Sequence, residues 1–410
     1  MLERRLAKGA TSLEPFKVMQ ISDWARELES KGRSVVHFEI GEPDFPTAQP
    51  IVERAKKTLD EQLTKYSLAN GMPELRENIS RRYAQLGATV DPKQIILTNG
   101  ASGGLLLLLG GLLNPEDKLM TTDPGYPCNG AFASTVGASL KKVELSVING
   151  FQPYPPDFEK NWDASVRGVL FASPMNPTGT IISKENLKAV WEICGRKNGF
   201  LIVDEIYQGI THGDTTYQSA IQIDQDIFIL NSFSKYFCMT GWRLGWILVP
   251  MALADHFIKL AQHLFISPNT ISQHAAIEAF SDDCIEIHDN RVKIFRERLK
   301  VLSQGLVEMG FSIPAQPEGG FYLFVDISHK GMDSQEFCSR ILREFGVAIT
   351  PAYDFSEHYA ADYVRFSCST SLDSIKEGLN RISSALATWG LELEVPEKEE
   401  VRLVRRYRSF

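Results

Sequence analysis

Lys235 stands among groups that suit a phosphate ligand. It lies in Asn231-Ser-Phe-Ser-Lys-Tyr-Phe-Cys-Met-Thr-Gly-Trp-Arg-Leu-Gly245, with Ser232 and Ser234 before it and Arg243 eight residues after it. A lone lysine on a loop is ordinarily a solvated surface group. Two hydroxyls and a guanidinium around it instead favour a phosphate-bearing ligand, because arginine offers a planar fork of donors. A neighbouring cation also lowers the pKa of an amine, which favours the neutral form that attacks carbonyls.

Four further segments carry groups of the same kind. In Leu201-Ile-Val-Asp-Glu-Ile-Tyr207, Asp204 ends an apolar run and Tyr207 follows three residues later. A carboxylate there is costly to bury without a positive partner. A cap on a following helix is the plain alternative, and a protonated pyridine nitrogen would serve as well. In Ser173-Pro-Met-Asn-Pro-Thr-Gly-Thr180, Pro174, Pro177 and Gly179 set a tight turn that projects Asn176 towards a ligand oxygen, unless the turn is no more than a turn. Thr98-Asn-Gly-Ala-Ser-Gly-Gly104 opens a leucine-rich helix, whose exposed N–H groups and dipole favour an anion. It matches neither a dinucleotide fingerprint nor a phosphate-binding P-loop. Tyr126, in Pro124-Gly-Tyr-Pro127, is placed to stack on an aromatic ligand or to fill core.

These segments need a scaffold that presents them together. Between about residues 94 and 250, apolar runs at 94–99, 118–123, 169–173, 201–206, 227–232 and 244–249 alternate with helical patterns such as 184–197. Such alternation predicts an α/β fold with a mostly parallel sheet sandwiched by helices. Ligands then sit at the carboxyl ends of the strands, where these segments fall. After about residue 285 a long helical pattern (285–309) leads to strands at 321–327, 347–350 and 363–367 and a last helix at 371–389. This reads as a smaller α+β domain. The expected division is a large domain, residues 46–285, and a small one built from 1–45 and 286–410.

Composition narrows the function. The 410 residues carry a formal charge of -8, which disfavours nucleic acid or an anionic membrane as partner. The longest apolar run, residues 105–113, falls far short of the ~20 residues a membrane helix needs, and the basic N-terminus has no apolar run behind it to make a secretory signal. Six scattered cysteines with no C-x-x-C pair point to reduced thiols in a cytoplasm and to no metal site. Cys238, close to Lys235, reads as a buried structural thiol rather than an oxidation sensor. The charged residues 394–410 read as a solvated or dimer-draped tail.

Taken together, the segments describe a ring-shaped, phosphorylated, carbonyl-bearing ligand. From about Phe16 to Trp389 the chain resembles the class I/II aminotransferases of the type I pyridoxal-phosphate fold, with S-x-x-K and G-x-R around Lys235 and N-P-T-G and D-E-x-Y upstream. The resemblance implies pyridoxal 5'-phosphate joined to Lys235 as a Schiff base, and Asp204 on the pyridine nitrogen. It places Asn176 and Tyr207 on the phenolic oxygen, Tyr126 on the ring, and Ala101, Ser102, Ser232, Ser234 and Arg243 on the phosphate. The stretch Tyr66-Ser-Leu-Ala-Asn-Gly-Met-Pro-Glu-Leu-Arg76 resembles the family's Y-x-x-x-x-G-x-x-x-L-R, which implies a homodimer in which Tyr66 reaches the neighbouring phosphate. Arg365 and the Gly41 N–H, with Asn176, resemble the clamp for the substrate carboxylate; a surface salt bridge is the alternative for Arg365. The implied reaction moves an amino group from an L-amino acid to a 2-oxo acid, 2-oxoglutarate by family default. Ser102, where acidic-substrate relatives can carry a lysine, weakens an aspartate specificity. A β-lyase of the same fold and an aminotransferase-like ligand sensor of a transcription regulator are the rival readings.

Overall fold

The computed structural model describes residue 11, residues 15–213 and residues 218–391; the basic N-terminus and the charged tail lie outside them. Its strands are β1 (Val36–His37), β2 (Ile95–Thr98), β3 (Lys118–Asp123), β4 (Ser139–Glu144), β5 (Val166–Ala172), β6 (Phe200–Asp204), β7 (Phe228–Ser232), β8 (Gly245–Leu248), β9 (Tyr322–Asp326), β10 (Val347–Ala348), β11 (Thr350–Pro351) and β12 (Tyr363–Ser367).

Seven strands form the central sheet in the order β2-β8-β7-β6-β5-β3-β4. The pairs from β4 through β3, β5 and β6 to β7 are parallel, and β8 and β2 add an antiparallel edge. The strand β6 is apolar from Phe200 to Val203 because both its faces are covered. Along β6, Leu201 and Val203 join one buried cluster while Ile202 joins the other. Period-2 alternation thus sends successive residues to opposite, equally apolar layers. The leucine-rich helix Gly100–Leu112 covers the Ile202 face through Leu105, Leu108 and Leu109. On the other side lies the helix Lys184–Arg196, started by Ser183 Oγ accepting the Asn186 N–H at 3.2 Å and turning Leu187, Val190 and Cys194 inward.

The sequence reading lacks the two-residue β1 and, in the central sheet, β4. Its residues Ser139-Leu-Lys-Lys-Val-Glu144 alternate weakly because β4 is the sheet edge, with only Val143 buried. Lysines on an edge also discourage pairing with another chain. The expected strand at 347–350 is two short pieces, β10 and β11, which serve different sheets.

In the C-terminal part, β11, β12 and β9 make an antiparallel sheet, with Arg365 paired to Thr350 on one side and Phe324 on the other. β1 pairs in parallel with β10, Val36 opposite Val347, so the N-terminal segment returns to this region. The helix Lys17–Ser30 is tied down at its start by Asp354, whose carboxylate accepts the Lys17 and Val18 N–H groups at 2.9 and 2.8 Å. The helices Asp282–Glu308, Ser334–Phe345 and Leu372–Trp389 complete the layer. Among the described residues no helix is long and apolar enough to cross a membrane.

Candidate active site

A cavity of about 520 Å³ opens at the carboxyl ends of β5, β6 and β7. It is lined by Ala101, Ser102, Tyr126, Asn176, Asp204, Tyr207, Ser234, Lys235, Arg243, Gly41 and Arg365, residues far apart in the chain. The loop after β7 carries Lys235, whose Nζ donates to the Gly41 carbonyl at 2.5 Å. Burial, with the nearby Arg365 charge, lowers its pKa from 10.5 to about 8, while Glu42 and Asp204 oppose the shift. Such an amine is neutral far more often near pH 7 than an exposed lysine.

Asp204 closes β6 and is buried. Desolvation raises its carboxyl from 3.8 to about 7, against the Ile206 N–H bond to Oδ1 (3.0 Å) and the Lys235 charge. No helix follows it; residues 206–209 form a turn, so the capping alternative reduces to that one local bond. Tyr207, on this turn, is buried and donates its hydroxyl to that of Tyr322 at 3.0 Å. Asn176 projects from a turn closed by Met175 N–H to Thr180 O (2.9 Å) and Gly179 N–H to Met175 O (2.8 Å).

The start of the helix Gly100–Leu112 and Arg243 meet on one wall. Gly100 has φ +70°, open to glycine at little cost, and the Arg243 guanidinium lies directly against it. Arg243 donates Nη1 to the Thr240 carbonyl at 2.9 Å. A helix N-terminus beside a guanidinium is an anion site by charge and by donor count. Ser234 lines this wall, but Ser232 does not: its hydroxyl bonds Ser234 Oγ at 2.9 Å and the Leu244 carbonyl at 3.2 Å. Ser232 therefore shapes the lysine loop from behind.

Arg365, in the middle of β12, is 4% exposed. Its Nη2 donates to the Glu39 carbonyl at 2.8 Å and its Nη1 to Asn176 Oδ1 at 3.3 Å. Its guanidinium lies 4.3 Å from the Tyr322 ring centre and 4.7 Å from that of Phe355. Among the described residues it has no ion pair, and its Nε has no hydrogen-bond partner. The surface-salt-bridge alternative is thereby excluded. Tyr66 lies away from this cavity and is 79% exposed.

Several wall residues were not legible as site residues. Phe16, Val18, Met19, Ser22 and Arg26, on or before the helix Lys17–Ser30, line the outer side, with Phe355 and Tyr322 further in. Only the Gly319-Gly-Phe-Tyr322 sequence, two glycines before an aromatic strand, hinted at a close approach of backbone there.

Comparison with known proteins decides the family. The model for class I and II aminotransferases matches residues 33–382. The chain belongs to that family. This aminotransferase is similar to the (5-formylfuran-3-yl)methyl phosphate transaminase of Methanocaldococcus jannaschii, at 35% identity over 93% of this chain and 99% of that protein. It also resembles an aspartate aminotransferase of Thermotoga maritima, at 32% identity over 94% of this chain and 99% of that one. Among solved structures, an aminotransferase from Mycobacterium tuberculosis superposes with a TM-score of 0.90 at 34% identity, covering 93% of this chain and 99% of the other. The Thermus thermophilus aspartate aminotransferase with maleate gives 0.87 at 28% identity, again over 93% and 99%. Pyridoxal-phosphate-dependent amino transfer is accordingly the reaction class.

The cavity of this aminotransferase fits such a cofactor on its own terms. Asp204 is a buried carboxyl pushed up to about 7, chiefly by desolvation, and it makes no ion pair among the described residues. On another wall, Arg243 and a helix N-terminus leave donors for an anion, and Lys235 offers an amine of lowered pKa. A protonated ring nitrogen, a phosphate and an aldehyde on one small molecule meet these three demands.

Proposed function

We propose that this aminotransferase takes its amino group from an L-α-amino acid held at Arg365. It passes the group to a 2-oxo acid, 2-oxoglutarate foremost, in two half-reactions at one site. The observation that carries the reading is Arg365 itself: a buried guanidinium without an ion pair among the described residues, in one cavity with an amine of lowered pKa. A carboxylate ligand would neutralise it through a bidentate fork, with the Gly41 N–H and Asn176 completing the clamp.

Pyridoxal 5'-phosphate would be carried by Lys235. Asp204 would hold the ring nitrogen protonated, and Asn176 and Tyr207 would bond the phenolic oxygen. Tyr126 would cover the ring. The Ala101 and Ser102 N–H groups, Ser234 and Arg243 would hold the phosphate, with Ser232 behind them and Tyr66 of a second copy from outside. When bound, the cofactor supplies an electron sink for the carbanion left at Cα. Lys235 Nζ takes the Cα proton, acting as general base and then acid. The large domain (46–285) and the small one (1–45 with 286–410) would form the two sides of the cavity. A cytoplasmic setting suits six cysteines that are all unpaired.

The test is the absorbance spectrum of the cofactor-loaded protein, mixed with single L-amino acids in the absence of an acceptor. Bleaching of the visible band, with restoration by a 2-oxo acid, supports the reading, and the fastest donor names the substrate class. A band that survives every amino acid overturns it. Release of ammonia and pyruvate from cysteine-like substrates would assign a β-lyase instead.

A further inference from the structure

The polar centre of the cavity holds a side chain to which the roles above assign nothing. Tyr322 begins β9 and is 1% exposed. Phe324 lies opposite Arg365 across the β9–β12 ladder. Tyr322, two residues before it, shares that face and reaches Arg365 diagonally, which brings the guanidinium 4.3 Å from its ring centre. Its hydroxyl accepts from Tyr207 at 3.0 Å and donates to the Gly41 carbonyl at 3.2 Å. That same carbonyl takes the Lys235 Nζ at 2.5 Å. A carbonyl oxygen has two lone pairs, and here a hydroxyl and an amine occupy them. The approach is close: a Cβ added to Gly41 would stand 3.2 Å from the Tyr322 oxygen.

We propose that Tyr322 is a positioning residue of this site: its hydroxyl shares the Gly41 carbonyl with the Lys235 amine while its ring carries the Arg365 guanidinium, so that one side chain holds the reactive amine and the carboxylate fork in register. Two consequences follow from the shared atom. A carbonyl that already accepts a hydroxyl holds an ammonium less well, so Tyr322 keeps Lys235 on the neutral side. Because the hydroxyl abuts Gly41, it also fixes the backbone whose N–H faces the substrate carboxylate. The inference rests on the reading of Lys235 as the reactive amine.

Tyr322→Phe removes the hydroxyl and keeps the ring under Arg365. In the apo-protein, the pH dependence of Lys235 labelling by an amine-reactive reagent, read by peptide mass spectrometry, reports the amine directly. The midpoint should rise by roughly half to one pH unit on loss of the shared bond. In the loaded enzyme the half-saturating concentration of the fastest amino-acid donor should rise about fivefold, the equivalent of one hydrogen bond. Gly41→Ala, whose added carbon would stand 3.2 Å from the same hydroxyl and crowd it away from the carbonyl by a few tenths of an ångström, should raise the labelling midpoint in the same direction. The double variant should do no more than the larger single one, since both act through one contact. An unmoved or lowered midpoint in both single variants, or simple additivity in the double, overturns the proposal and leaves Tyr322 as packing. The labelling needs no turnover, so a protein whose cofactor band ignores every amino acid would refute the proposed reaction while the midpoint still decides Tyr322.

Discussion

Arg243 presses its guanidinium against the backbone of Gly100: a Cβ built on Gly100 would stand 2.6 Å from Nη2. Both residues adopt the left-handed region, φ +70° and 51°. In Gly100 that conformation is nearly free, and in Arg243 it carries a cost that the surrounding contacts must offset. The helix N-terminus and the cation, which stands eight residues after Lys235, are thus locked face to face.

Gly100→Ala should therefore strike the cofactor before it strikes the fold. The methyl group displaces Arg243 from the helix start, and cofactor affinity should fall about ten- to a hundredfold, the range for one charge-assisted contact to phosphate. Spectral titration of the apo-protein with pyridoxal 5'-phosphate measures it. Unchanged affinity would remove this wall from phosphate binding.

Arg365→Lys keeps the charge and loses the fork. Because Arg365 is held by the Glu39 carbonyl, Asn176 and two aromatic rings, its donors are already aimed. The variant should lower kcat/KM for amino acids by roughly a hundredfold or more, as expected for a lost bidentate carboxylate contact. Cofactor affinity, measured on the same preparation, should change little.

Asp204 sets a pH dependence of stability. Its carboxyl rises from 3.8 to about 7, chiefly through desolvation. Between those values the native state binds more protons than the unfolded chain, so stability from this group falls as pH rises through the window. Asp204→Asn should therefore stabilise the apo-protein at pH 8, by an amount on the order of a few kcal/mol at most, and the gain should vanish towards pH 4. Denaturant midpoints at the two pH values test it. In the loaded protein the sign should reverse, because the ring nitrogen loses its counter-charge, and Cα proton loss should slow.

A second copy should complete the site. Tyr66, Leu68, Leu264 and Ile266 are 79, 56, 50 and 53% exposed. They sit on two segments joined by Thr270 Oγ1 donating to the Lys65 carbonyl at 2.8 Å. Exposed apolar groups on joined segments are what a subunit interface would cover. Tyr66→Ala and Lys235→Ala, each nearly inactive alone, should regain activity when refolded together. Mixed dimers would then contain one site with both defects and one with neither. No recovery would place Tyr66 outside a shared site.

Much of this protein was already determined by its sequence. The apolar runs of β2, β3, β5, β6, β7 and β8 are local, and covering both faces of a parallel sheet leaves them little alternative to apolar residues. Lys235, Asp204 and Asn176 follow directly upon such runs, so their position at the strand ends was legible from order alone. The tertiary structure decided what depends on contacts between distant segments. It placed the helix Lys17–Ser30 on the cavity wall through Asp354, and turned Ser232 behind the lysine loop. It left β4 at the edge, where burial too weak for a clear pattern still sufficed for pairing. Above all it set Tyr322 between Gly41 and Tyr207, residues 281 and 115 positions away. No local pattern encodes such a meeting, because a hydrogen bond across that separation exists only once the distant segments that carry its ends have packed together.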